Sequence, residues 1–193
     1  MDMIKELVKK SRSYRGYDES RKISKEELME LVDCARFAPS SVNRQPFKYL
    51  LAYEQSDLDK IQQLTGWARA LPHMKLPHPG KCPTAFIVIC QNTDWDPDLT
   101  HNLRDVGIVA QTMLLAATEK ELGGIMIGNF SQKKLAETMN LPENIVPMLI
   151  VAFGKPDEEI VLIEVEAGES LKYYRDDQDT HYVPKRKLND IIL

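Results

Sequence analysis

The stretch from Asn102 to Leu122 constrains the fold more than any other part of this chain. It reads as the longest helix and is apolar around most of its circumference, so other elements must surround it. Its most apolar part, Val106 to Thr118, is too short to cross a bilayer, which takes about 20 apolar residues. A buried central helix follows, and the remaining residues must supply the layers that cover it. Gly123-Gly124 reads as its stop signal.

Those layers can be read from periodicity and punctuation. Ile4, Leu7 and Val8 form a stripe on a first short helix, interrupted by Ser11–Tyr17. Ser24 and Glu27 form a capping box for a second helix striped by Leu28, Leu31, Val32 and Ala35, which ends ahead of Pro39. Phe47–Tyr53 predicts a strand, and Ser56 caps a helix reaching about Leu64. From Gly66 to Pro83, Pro72, Pro77, Pro79, Gly80 and Pro83 break regular structure, as in a functional lid. Thr84–Cys90 suits a strand buried on both faces. Ile125-Met126-Ile127 predicts a short strand, Ser131 caps a helix over Gln132–Asn140, and Ile145–Phe153 predicts the last core strand, ended by Gly154-Lys155-Pro156.

This order lacks a regular strand–helix alternation and the GxGxxG turn of a dinucleotide-binding fold. The architecture expected is α+β, a central mixed sheet flanked by helices with one long helix in the middle. A chain of 193 residues fits one domain. Residues from about 157 to 193 are left over as a C-terminal tail, expected to pack on a partner subunit.

Composition narrows the function. The chain is 43% hydrophobic and 28% charged, with a formal net charge of −4. That balance argues against nucleic-acid binding, which needs a basic surface to displace counterions. Any phosphate site must be a local basic cluster, so a small phosphorylated ligand is favoured over a polymer. Cys34, Cys82 and Cys90 form no CxxC pair and suggest neither a disulfide framework nor a zinc ribbon. With no apolar h-region at the N-terminus, a cytoplasmic location and no membrane association are expected.

Two segments carry chemistry. In Ser11-Arg12-Ser13-Tyr14-Arg15, the guanidinium groups of Arg12 and Arg15 can converge with the Ser13 hydroxyl on one anion, because guanidinium offers fixed bidentate donors. The same run can equally be a solvated basic helix end. The segment Ala38-Pro39-Ser40-Ser41-Val42-Asn43-Arg44-Gln45-Pro46-Phe47 sets amide and hydroxyl donors between two prolines, suited to a cofactor's polar edge. It can also be an ordinary polar turn into a strand. His73, His78 and Cys82 have metal-ligating chemistry, but the prolines between them deny a shared helical face, and no metal is expected. Met113 and Met126 read as core filler, Tyr173-Tyr174-Arg175 as tail packing on the partner in preference to stacking on a substrate, and Asp157-Glu158-Glu159 as a solvated turn.

Together these segments resemble the nitroreductase family. Arg12-Ser13-Tyr14-Arg15-Gly16-Tyr17-Asp18 looks like its flavin-phosphate motif, and Ala35–Phe47 resembles its next motif at the same separation. The resemblance continues through Asp105-Val106-Gly107, Gln111, Leu122–Phe130, Val151–Pro156 and Pro184-Lys185-Arg186. It implies one nitroreductase-like FMN-binding domain over residues 1–193, in an intertwined homodimer with two sites at the interface. Arg12, Ser13 and Arg15 would hold the FMN phosphate and pyrimidine edge. Pro39, Ser40, Ser41, Asn43 and Gln45 would approach the flavin from the other subunit. Ile127 and Gly128 would lie against the isoalloxazine, and Lys185 or Arg186 would complete the phosphate pocket. The phosphate motif begins Ser11-Arg12 where many family members carry two arginines.

The activity implied is hydride transfer from NADH or NADPH through the flavin to an electron-poor acceptor such as a nitroaromatic or quinone. No catalytic side chain is assigned, because the flavin carries the chemistry. A flavin-dependent dehalogenase or dehydrogenase on the same fold, or a non-catalytic FMN-binding sensor or carrier, would keep the same cofactor contacts.

Overall fold

A computed structural model describes residues 3–193. Its core is a sheet in which β3 (Ala85–Asn92) lies between β2 (Phe47–Ala52) and β5 (Ile145–Pro156), antiparallel to both. β4 (Gly123–Ile127) and the two-residue β1 (Tyr17–Asp18) also pair with β5, again antiparallel. Among the described residues, parallel pairing enters this sheet only at an isolated bridge between Ser13 and Gly124, so its mixed character rests there on that one contact.

Every residue of β3 is buried, as its unbroken apolar run requires. Alternate residues serve opposite faces. Ile87 and Ile89 join Leu28, Leu31, Val109, Met113 and Phe153 on one side, while Phe86 and Val88 join Leu58, Ile61, Ile125, Leu135 and Ile150 on the other. The first face is covered by α2 (Lys25–Ala35) and α4 (Leu103–Glu119), the second by α3 (Gln55–Leu64) and α5 (Gln132–Thr138). Each large side chain buried this way contributes roughly 1.5–3 kcal/mol. The central helix is therefore central in fact: Ala110, Met113 and Ala117 are wholly covered. The Ser24–Glu27 capping box and the Ser131 cap both form.

Four local readings need correction. α3 begins at Gln55 with Glu54 at its N-cap, so Ser56 lies inside the helix. α4 ends at Glu119, and Glu121 takes the left-handed turn (φ 59°) that Gly123-Gly124 was expected to supply. The two glycines instead open β4, where close packing excludes a side chain: a Cβ on Gly124 would come within 2.3 Å of the Ala152 carbonyl oxygen. β5 runs through Gly154-Lys155-Pro156 rather than stopping before them, because β1 pairs with its last two residues. Finally, Glu158 is no solvated residue; its side chain is almost fully buried in an ion pair with Arg175.

The tail forms a second, three-stranded sheet. β6 (Ile160–Val165) runs parallel to β8 (His181–Arg186), and β7 (Tyr174–Arg175) adds to β8 antiparallel. Pro184 is tolerated in β8 because β7 covers only His181 and Tyr182, leaving that side of the strand free at Pro184. Residues 66–83 are largely irregular, and Leu71, Ala68 and Leu76 cluster there with Met74 and Tyr173. Among the described residues, α1 (Met3–Lys10) buries no side chain, and Met3, Ile4 and Val8 are exposed along it. Leu188, Ile191, Ile192 and Leu193 at the other terminus are exposed as well.

Candidate functional site

The basic run leaves α1 and passes along the outer edge of β4. The Tyr14 N–H donates to the Gly124 carbonyl at 3.2 Å. This approach depends on glycine: a Cβ on Gly123 would lie 2.4 Å from the Tyr14 ring. The glycine pair thus sets how deeply the run is seated.

That seating forms the wall of a cavity of about 340 Å³. Ser11, Arg12, Ser13 and Arg15 line it from the run, Gln111 and Leu114 from α4, Met126 from β4, and Ile160, Tyr173, His181, Val183 and Lys185 from the tail. Spacing explains the last three: His181, Val183 and Lys185 are alternate residues of β8 and share one face. Arg186 points to the other face, does not line the cavity and is exposed. The sequence left Lys185 and Arg186 undivided; the strand divides them.

The cavity is strongly cationic. Arg15 is 8% exposed, its Nη1 donates to the Ser13 carbonyl at 3.0 Å, and its guanidinium sits 5.0 Å from the Tyr173 ring centre. Burial lowers its pKa from the ordinary value, opposed by Tyr173 and Glu158, with Arg175 adding to the lowering. Burial lowers Arg12 likewise. The Nε atoms of both arginines are buried without a hydrogen-bond partner. Buried donors are nearly always paired, so two orphan guanidinium nitrogens beside a cavity suit an anion that would pair them. The residues present fit a phosphate.

The second motif lies elsewhere in the chain. Pro39, Ser40 and Gln45 line a separate cavity of about 120 Å³ with Phe47, Tyr49 and Asp105, sharing no lining residue with the first. Asp105, at the start of α4, organises the loop: its carboxylate accepts from the Ser40 hydroxyl at 2.9 Å, the Ser41 N–H at 2.6 Å and the Ser41 hydroxyl at 2.9 Å. Beyond it the backbone is strained, with positive φ at Val42 (44°), Asn43 (56°) and Gln45 (48°). Such conformations are costly for non-glycine residues and concentrate at functional sites. Asn43 and Gln45 are exposed, and Gln45 Nε2 donates to Asn43 Oδ1 at 2.8 Å.

In β4 the strand alternation separates neighbours. Ile127 is buried with Ile125 in the core on the α3 and α5 side, while Met126 faces the cationic cavity. Met126 therefore lines the site rather than merely filling the core. Gly128 is exposed, with open space where a Cβ would stand. Sequence reasoning missed His181 and Glu158 and favoured tail packing over substrate stacking for Tyr173. The period-2 pattern His181, Val183, Lys185 was available as a signal, masked by Pro184.

Among the described residues no group of three or more His, Cys, Asp or Glu side chains could hold a metal ion. No described helix is long and apolar enough to cross a membrane.

Fold and cavity together define an α+β protein with a cationic cavity lined by Arg12, Arg15 and Lys185. The chain belongs to the Nitroreductase family, whose sequence profile matches residues 8–155. A protein of Archaeoglobus fulgidus assigned as an NADH dehydrogenase/NAD(P)H nitroreductase is 27% identical over 168 residues, spanning 82% of this chain and 88% of that one. A solved nitroreductase family protein of Clostridium difficile is 28% identical with a TM-score of 0.64, covering 82% of this chain and 86% of the other. A protein of Exiguobacterium sibiricum assigned as a nitroreductase, solved in complex with FMN, superposes with a TM-score of 0.68 at 22% identity, covering 82% and 90%. The tail beyond residue 155 lies outside the family match.

Proposed function

We propose that this protein is an FMN-dependent oxidoreductase that draws electrons from NADH or NADPH and delivers them to an electron-poor acceptor such as a nitroaromatic or quinone. The observation that carries the reading is the pair of buried, unpartnered guanidinium nitrogens of Arg12 and Arg15 at the cationic cavity, in a chain of this family. Bound FMN supplies a group that accepts and returns a hydride.

The chain's own residues bind and position. Arg12, Arg15 and Lys185 hold the phosphate, with Ser13 as a hydroxyl donor, and their positive charge favours an electron-rich ligand nearby. Arg186 is assigned no phosphate contact. Gly128 leaves room for a planar ring to approach the backbone, and Ile127 can take part only through its main chain, since its side chain is in the core.

Pro39, Ser40 and Gln45 line a different cavity from the phosphate residues of their own chain, and Ser41 and Asn43 belong to the same loop. A homodimer in which this loop meets the cationic cavity of a second copy would unite the two halves. The exposed apolar residues of α1 and of the last residues of the tail support such an assembly, with the tail end packing on the partner. Residues 66–83, in contact with Tyr173 at the cavity wall, are placed to influence which acceptor enters.

The test is the absorption spectrum of purified protein during anaerobic addition of NADH and then NADPH. A flavin spectrum bleached by either donor and restored by a quinone is the expected result. A colourless protein that binds no added FMN would overturn the reading, and bound FMN that neither donor bleaches would reduce it to flavin binding.

A further inference from the structure

One ring in the cationic cavity has no role in the reading above. His181 is 1% exposed and lines the wall with Arg15 and Lys185, yet neither of its ring nitrogens has a hydrogen-bond partner. Tyr173 meets the imidazole at 5.2 Å between centroids, tilted by 43°, which supplies ring packing and no acceptor. A fully buried imidazole with two orphan nitrogens is rare, and at the wall of a ligand cavity it points to a partner that arrives from the cavity.

The charges around this ring are mostly of one sign. Arg15 faces it from the basic run and Arg175 from β7, with Asp179 the opposing carboxylate. Lys185 follows on the same face of β8, and Arg12 lines the same cavity. Burial first, then Arg15 and Arg175, push the imidazole down to about 4, against a smaller pull from Asp179. It is therefore neutral at physiological pH. A phosphomonoester carries about −1.5 to −2 charges near neutrality, enough to offset much of the local positive charge.

We propose that His181 is a proton-linked element of the phosphate pocket: neutral while no anion is bound, it takes a proton from solvent when a phosphomonoester settles among Arg12, Arg15 and Lys185. The imidazolium then adds a cationic donor to the pocket. Because the bound-state pKa exceeds the free-state value, binding through this residue strengthens as pH falls through the bound-state pKa. The proposal rests on the assignment of FMN phosphate to this cavity. It predicts no such linkage for riboflavin, which lacks the phosphate.

Calorimetric titration of the flavin-free, full-length protein with FMN, in buffers of different ionisation enthalpy at pH 6.5, counts the protons exchanged. The phosphate's own titration contributes equally in wild type and His181→Gln, so the difference between them isolates the ring. Wild type is expected to take up roughly half to one proton more than the variant, with no difference for riboflavin. Equal counts for FMN would overturn the role of His181 and leave the FMN assignment intact; absence of FMN binding in wild type would overturn both. If His181→Gln does not fold, the ring ¹⁵N shifts of His181 in the wild-type FMN complex at pH 6.5 decide: an imidazolium signature supports the proposal, and a neutral ring refutes it.

Discussion

Glu158 and Arg175 form an ion pair in which both side chains are almost wholly buried, 3% and 2% exposed. The same Glu158 carboxylate accepts the backbone N–H of Arg15, and Arg175 Nη1 also reaches Asp179 at 2.9 Å. One carboxylate thus ties the tail sheet to the basic run that lines the cationic cavity. Removing one partner of a buried pair leaves the other uncompensated and costs about 3–5 kcal/mol. Glu158→Gln is expected to lose stability toward the lower end of that range, because Asp179 still partners Arg175. Urea denaturation measures the loss. Adding Arg175→Met to Glu158→Gln should recover part of it; a double variant worse than the sum of the singles would contradict this account.

Lys185 and Arg186 are adjacent but face opposite ways across β8, and only Lys185 lines the cavity. Lys185→Ala should weaken FMN binding by about tenfold, the worth of one partly exposed charge-assisted bond. Arg186→Ala should change it by less than about twofold. Arg15→Ala, which removes a buried guanidinium, should weaken it by about a hundredfold. Flavin fluorescence titration ranks the three. An Arg186→Ala effect equal to that of Lys185→Ala would mean that the strand face is misassigned.

Most of the layered core was legible because burial writes itself into periodicity: the run at 84–90, the Ser24–Glu27 box and the apolar circumference of 102–122 each had one physical solution. What escaped depended on contacts remote in sequence. Nothing local says that Gly123 is a glycine because the Tyr14 ring lies against it, or that Glu158 in an acidic run finds Arg175. The tail sheet was hidden for a related reason, since β6 and β8 pair in parallel across a long excursion and β8 carries a proline. The arginines that line the cationic cavity were legible as a motif, while His181 was not, because its significance lies in what surrounds it.

Asp105 holds the Ser40–Ser41 turn by three hydrogen bonds to one carboxylate. Burial works against its charge, but the Ser41 N–H and the two hydroxyls outweigh it, and its pKa is lowered. Asp105→Asn replaces an acceptor oxygen with an amide NH2 that faces donors and should cost about 1–3 kcal/mol. Because the folded-state pKa lies below the unfolded one, the wild-type contribution is present above about pH 4 and lost as pH falls through the folded value. Urea titrations at pH 7 should show the variant's deficit, and a variant as stable as wild type there would remove Asp105 from this role. The strained loop at Val42, Asn43 and Gln45 should also become more susceptible to proteolysis in the variant.

His181 gives the flavin-free protein a second pH dependence, opposite in origin. Its folded-state pKa is pushed down to about 4, below an unfolded value of about 6.5. Between those values the unfolded chain binds the proton that the folded chain refuses, so stability rises with pH across that window. The contribution is fully present above about pH 6.5 and is lost as pH falls toward 4, by at most about 3.5 kcal/mol at roughly 1.4 kcal/mol per pH unit. Urea midpoints of flavin-free protein measured from pH 7.5 to 4.5 should fall for wild type more steeply than for His181→Gln. The comparison of slopes cancels Asp105, the carboxylates shared by both proteins and the remaining histidines, of which His73 is exposed and His78 and His101 already face Asp179, Asp96 and Asp98. With FMN bound, protonation of the ring is no longer opposed, so the wild-type slope should flatten toward that of the variant. Parallel slopes for the two flavin-free proteins would show that His181 titrates normally in the fold, against the combined effect of burial and the cationic field assigned to it.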